Sequence, residues 1–130
     1  MSEKMDWNDA MKYAESLGEG WRLPSLKELM TLWDYEAGKS IVPINPSPYW
    51  SSSTYASYPH YAWYVNFNKG YVSYDDKYGY NFYVRCVRGG QFDYLGNSII
   101  PGLTEGQDRI TTNEDGTITD NCTGLTWEAA

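Results

Sequence analysis

Residues 49–88 read YWSSSTYASYPHYAWYVNFNKGYVSYDDKYGYNFYVRCVR, and the reading of this stretch decides the fold. Ten of the thirteen tyrosines lie in it, interleaved with Ser, Asn, Asp and Gly. Trp63, Val65 and Phe67 alternate with Tyr64, Asn66 and Asn68, the two-residue period of a strand with one buried face. Asn68-Lys69-Gly70 reads as a tight hairpin turn with Gly70 at positive φ. Val72 resumes the apolar face, and Val84 and Cys86 repeat it. The expectation is one packed face and one solvent face of Tyr, Asn, Ser and Asp. Binding surfaces use that composition, because tyrosine gives large rigid contact area at low entropic cost.

Upstream, residues 6–17 (DWNDAMKYAESL) place Trp7, Ala10, Met11, Ala14 and Leu17 at helical spacing, with Asp6 as N-cap and Gly18 and Gly20 as the stop. Ser25 and Glu28 spell a capping box, so a second helix is expected from Leu26 to about Ala37-Gly38. Both helices are amphipathic and must lay one face on the sheet. Residues 41–48 (IVPINPSP) are too rich in proline for a helix and read as an extended connector. Beyond Gly89-Gly90 the pattern weakens into a loop, with one short strand at Ser98 to Ile100. A turn at Asn113–Gly116 then leads into a short strand at Thr117–Thr119, and another follows at Leu125–Trp127 after Thr123-Gly124. The fold class is α+β in one domain, with 1–90 as the main body and 91–130 as loop and closing strands.

A chain of 130 residues is long enough to bury a core. Its formal net charge of -7 argues against nucleic acid, heparin-like polyanions and anionic membranes as partners, because like charges repel at long range. No apolar run reaches membrane-spanning length, so no direct membrane insertion is expected, and MSEKMDW lacks the apolar core of a signal peptide. The two cysteines, Cys86 and Cys122, permit one disulfide or two free thiols.

WRLPSLKEL, the YWSSS to GYV run, YVRCVRGG and DGTITDNCTGLTW stand together in this chain. In combination they resemble the C-terminal domain family of the bacterial collagen-like adhesin Lcl. The resemblance implies a C-type-lectin-like fold, two helices flanking twisted antiparallel strands. In the family DGTxTDxxTGLxW precedes the first helix, whereas here it comes last. The segment thus closes the fold on its own chain, as in a permuted domain, or completes a neighbour in a homo-oligomer or tandem array. Many members carry a helix-one cysteine that pairs with the one in VRC. That position here is Ala14, and the resemblance therefore implies Cys122 as the partner of Cys86. The Tyr-rich stretch also resembles the variable regions of proteins diversified by retroelements, in which adenine-directed changes of Asn codons yield mainly Tyr, Ser, Asp, His and Asn.

Few residues suggest chemistry. Trp7-Asn8-Asp9 spells the WND of calcium-dependent lectins, but it opens a helix and no EPN or QPD follows. TTNEDG imitates part of a calcium loop, yet Thr111 fills the first ligand slot and Cys122 the one that needs a glutamate. Asn121-Cys122-Thr123 fits the glycosylation pattern on paper. The one histidine, His60, has no conspicuous catalytic partner. No enzyme activity and no cofactor or metal are expected.

The expected ligand face comprises Tyr55, Ser57, Tyr58, His60 and Tyr61, then the outward hairpin residues Tyr64, Asn66, Asn68, Tyr71 and Ser73, and the following loop with Tyr74, Asp75, Tyr78, Tyr80 and Asn81. Its partner would be a protein or a glycan, met on a cell surface, outside the cell or on a virion. The competing reading is a structural repeat module whose tyrosines pack against neighbours. Trp21, Trp33, Trp50, Trp63 and Trp127 are expected to pack inside.

Overall fold

The computed structural model describes residues 3–92, 95 and 98–129. Local capping rules start both helices. The Asp6 carboxylate accepts the Asp9 amide at the head of α1 (Trp7–Leu17), and Gly18 at φ 64° ends it. The capping box closes in both directions at the head of α2 (Leu26–Met30).

Here the helix stops well short of the expected end. Trp33–Asp34 (β1) turns back onto Lys39–Ser40 (β2) instead. The cause is Asp34, whose Oδ1 accepts the amides of Glu36 and Ala37 and offers the backbone an alternative to helical bonds. The hairpin carries Trp33 into the core.

Three antiparallel strands follow in order: β3 (Pro48–Thr54), β4 (Tyr61–Asn66) and β5 (Val72–Asp76). β4 is central and covered on both sides. Val65 joins Tyr49, Phe67, Leu29, Leu32 and Trp33 in one core cluster. Ala62 and Tyr64 join Trp50, Val84, Cys86 and the α1 residues Ala10 and Ala14 in the other. This corrects the expected polarity of the strand. Tyr64 is only 8% exposed, edge-on to Trp50 at 6.5 Å and 4.7 Å from Phe82, whereas Trp63 is half-buried. A period of two sorts residues only when one face is wet, and here both faces are covered.

The chain then runs beside both halves. Phe82 bridges to Met5, Tyr83 to Tyr49, and Val87 to Arg22. β6 (Val87–Gly89) starts the second sheet. β7 (Gln91–Phe92) and β8 (Ser98–Ile99) form a two-stranded hairpin. β9 (Ile110–Thr112), β10 (Ile118–Asp120) and β11 (Leu125–Trp127) complete a sheet of order β6-β11-β10-β9. Trp127 pairs with Val87 and buries fully with Ile118 and Leu125 in the first cluster, so the tail closes on its own chain.

Glu128 latches that closure. Its carboxylate accepts the Cys86 amide at 2.9 Å and the Tyr13 hydroxyl, and its carbonyl accepts Arg85 Nε at 2.9 Å. Burial, helped by the Glu128 carboxylate, raises the Tyr13 phenol. Arg85 is fully buried and also donates to the Pro43 carbonyl. Burial lowers its pKa, and the Tyr49 and Glu128 groups oppose that shift. Among the described residues neither Arg85 nor Arg88 makes a salt bridge with a carboxylate, and Arg88 lies over the Trp21 ring at 4.7 Å.

The disulfide expected between Cys86 and Cys122 is absent, and both thiols are free. Glu128 pairs beside Cys86, and Gly90 donates to the Gly124 carbonyl at the opposite end of the same strand pair. Cys122 lies beyond that end, roughly 13 Å along the strand at about 3.3 Å per residue. A disulfide needs Cα atoms within about 7 Å. Ala14 does share a cluster with Cys86, as the family resemblance implies.

Burial, with the nearby Glu128 carboxylate, pushes the Cys86 thiol up to about 12. A raised folded value favours the protonated thiol. The associated stability is therefore complete below the unfolded thiol's value of about 8.5 and is lost as pH climbs through the folded one. A thiol reagent at about pH 8 should titrate one cysteine, the half-buried Cys122, in the native protein and both after denaturation. No free thiol in either state would restore the disulfide.

Candidate functional site

Strand register divides the expected ligand face in two. Trp63 pairs with Tyr74 and Tyr61 with Asp76, on one side of the three-stranded sheet. Tyr64 pairs with Ser73 and Ala62 with Asp75, on the other. The fifteen expected residues do not form one surface.

On the first side the loop 55–61 is wound tightly by its own backbone. The Tyr58 amide donates to the Tyr55 carbonyl, the Tyr61 amide to the Tyr58 carbonyl and the Tyr55 amide to the Tyr61 carbonyl, at 2.9–3.1 Å. That winding sets Tyr55 against Tyr74, with ring centroids 4.2 Å apart, and against Trp63 at 5.3 Å. Tyr58 stacks on Tyr55 at 6.0 Å and lies 6.0 Å from Tyr61. His60 sits 4.4 Å from Tyr61 and 6.1 Å from Tyr58, and Tyr61 lies 5.8 Å from Tyr74.

The result is a continuous raft of aromatic rings. Tyr58 is 56% exposed and Tyr74 41%. Ser57 is exposed at its rim. Tyr55, by its charge and by a hydrogen bond, raises the Tyr74 phenol, with burial and then Tyr61 and Tyr58 adding to the shift. Each ring wedges its neighbour, so little side-chain entropy remains for a ligand to remove.

The other side is sparser. Tyr71 and Tyr80 are about half exposed, lying against the buried Tyr64 and the half-buried Phe82. Ser73 hydrogen-bonds Tyr64, whose pKa burial raises. Asn66 holds the hairpin turn: its Oδ1 accepts the amides of Asn68 and Lys69, and its Nδ2 donates to Tyr71. Asn68 stands exposed at the turn tip, and Asp75 is partly buried. Tyr78 and Asn81 project from the last loop, with the Tyr78 amide bound to Asp76 Oδ1 at 2.8 Å.

Trp63 belongs to the first side and was missing from the expected set. Hydrophobic periodicity assigned it to the core; only its register opposite Tyr74 marks it as part of the raft.

The other motifs resolve into structure. Trp7 begins α1, and Asp115 accepts the amide and hydroxyl of Thr117 in the β9–β10 turn, which holds its carboxyl below the ordinary range. Asn121 Nδ2 donates to the Asp108 carbonyl and to Thr111. Among the described residues no three His, Cys, Asp or Glu side chains gather as a metal would require. Among them no helix is long and apolar enough to cross a membrane.

Residues 1–88, from the chain start into β6, match the Lcl C-terminal domain family. The chain belongs to that family. The matched span contains both helices, the three-stranded sheet and every residue of the raft. The strands β9 to β11 lie outside it, although they supply Trp127 to this Lcl C-terminal domain's core. No curated protein and no solved structure matches the chain.

Proposed function

We propose that this Lcl C-terminal domain is a non-enzymatic binding module, adhesin-like and displayed at a cell surface, outside the cell or on a virion, on a C-type-lectin-like scaffold. It recognises a protein or a glycan through Tyr55, Ser57, Tyr58, His60, Tyr61, Trp63 and Tyr74. The observation that carries this reading is the raft: partly exposed rings, fastened to one another, on one side of the three-stranded sheet. Exposed, rigid aromatic clusters are where binding energy concentrates. Family membership supports the surface role.

The test separates the two sides of the sheet. Purified domain is screened on a glycan array and against labelled cell-surface proteins. The double change Tyr58→Ala, Tyr74→Ala should cut capture at least about tenfold, a loss ordinary for interface aromatics. Tyr71→Ala with Tyr80→Ala should retain it. Both variants should keep their stability within about 1 kcal/mol, because the rings are partly exposed. Full capture by the first variant would end this reading.

A sharper form, diversification by a retroelement, draws support from where several of the Tyr, Ser, His and Asn residues sit. Ser57, Tyr58, His60, Tyr74, Tyr78, Tyr80 and Asn81 are exposed, while Trp50, Ala62, Val65 and Val84 hold the frame. A template repeat beside the gene, differing only at adenines, would establish it, and its absence would remove it. If the domain is instead an array module, solution mass measurements would show assembly that protects the raft tyrosines.

A further inference from the structure

We infer that the raft is built to accept a cationic side chain, an arginine or lysine on a basic segment of a protein partner. This rests on the binding reading above and narrows it to one ligand chemistry.

The domain already places its own cations on aromatic faces. Lys77 Nζ lies 4.0 Å from the Trp7 ring centroid, Arg88 4.7 Å from Trp21 and Lys4 5.3 Å from Tyr83. Among the described residues, none lies over Tyr55, Tyr58, Tyr61 or Tyr74. Lys77 is closest along the fold, since its amide donates to the His60 carbonyl. Its ammonium nevertheless turns away, to Trp7 and to Thr54 Oγ1 at 3.0 Å. The raft therefore keeps its π faces free of internal cations, beside phenol oxygens that also attract positive charge.

Long-range charge points the same way. The chain carries a net -7, and Asp76 sits opposite Tyr61 on the raft side of the sheet. A basic segment is drawn in, and an anionic one is repelled. The His60 ring stands beside the raft, 6.1 Å from Tyr58 and 4.4 Å from Tyr61.

A glycan would need the reverse endowment. Sugars stack on rings but take their specificity from convergent carboxamides and carboxylates. Here Asp76 Oδ1 accepts the Tyr78 amide, and Asn66 holds a turn on the other side. Phenols, Ser57 and His60 remain.

The experiment uses fluorescence anisotropy at about 0.15 M salt with three labelled Gly/Ser-spaced peptides, bearing arginine, citrulline or glutamate at the same positions. Citrulline keeps the shape of arginine without its charge. The wild-type domain should bind the arginine peptide about tenfold more tightly than the citrulline peptide, and should not bind the glutamate peptide. Tyr58→Leu with Tyr74→Leu should lose about the same factor at unchanged net charge, and Tyr58→Phe with Tyr74→Phe should keep most of the binding. Equal affinity for arginine and citrulline, no peptide binding, or full arginine binding by the leucine variant would each overturn the inference. Glycan or neutral-protein capture that depends on Tyr58 and Tyr74 without arginine preference would sink this inference and leave the binding reading standing. Capture indifferent to both tyrosines would sink the binding reading itself.

Discussion

Gly70→Ala is expected to cost this domain about 2–5 kcal/mol, through about 1–2 for an L-residue held at positive φ and about 1–3 for overpacking. Gly70 closes the β4–β5 hairpin at φ 80°, its amide donating to the Asn66 carbonyl at 2.7 Å. A Cβ added there would fall inside the Trp33 indole, a buried ring at 6.2 Å from Phe67 and packed with Leu29 and Leu32. Turn and core are thus the same place. Gly38→Ala supplies the control, at φ 66° with open space around it. It should lose only the backbone part, about 1–2 kcal/mol. Urea midpoints followed by circular dichroism distinguish the two. Equal losses would mean that the Gly70–Trp33 contact does not limit the fold.

Trp127→Ala is expected to cost about 3–5 kcal/mol, the range for truncating a large buried aromatic. The family match ends at Arg88, so matched sequence alone would mark Trp127 as dispensable. The structure buries it completely against Val87, Ile118 and Leu125, where it is a wall of the first cluster. Its indole N–H finds no acceptor among the described residues. Trp127→Phe should therefore recover most of the loss, because it keeps ring packing and removes an unsatisfied donor. A loss below about 1 kcal/mol for the alanine variant would show that β11 does not complete the core. If the tail is exchanged between copies, the melting point of the parent domain will fall on dilution, whereas closure within one chain leaves it unchanged.

Legibility divided along a physical line. Features governed by neighbours in the chain were readable: Asp6 at the head of α1, the Ser25–Glu28 box, the hairpin at Gly70 and the strand around Leu125 all arise from contacts within a few residues. The second helix failed because two local rules competed at one place. Amphipathic spacing favoured continuation, while Asp34 and Gly38 favoured a hairpin, and the hairpin won because it buries Trp33. Trp63 and Tyr64 exchanged roles for a different reason. Alternation told which residues share a face but not what covers each face.

From its own residues the chain determined an α+β domain, the positions of its caps and turns, and a tyrosine-rich stretch unfit for the interior in bulk. Tertiary structure alone decided that this stretch has two sides, that Tyr55, Tyr58, Tyr61, Trp63 and Tyr74 meet on one of them, and that Cys86 and Cys122 stay apart. The physical reason is that pairing register and layer packing join residues distant in the chain. α1 covers one side of β4, and the first core cluster covers the other only as far as Val65, leaving Trp63 and Tyr61 at its edge.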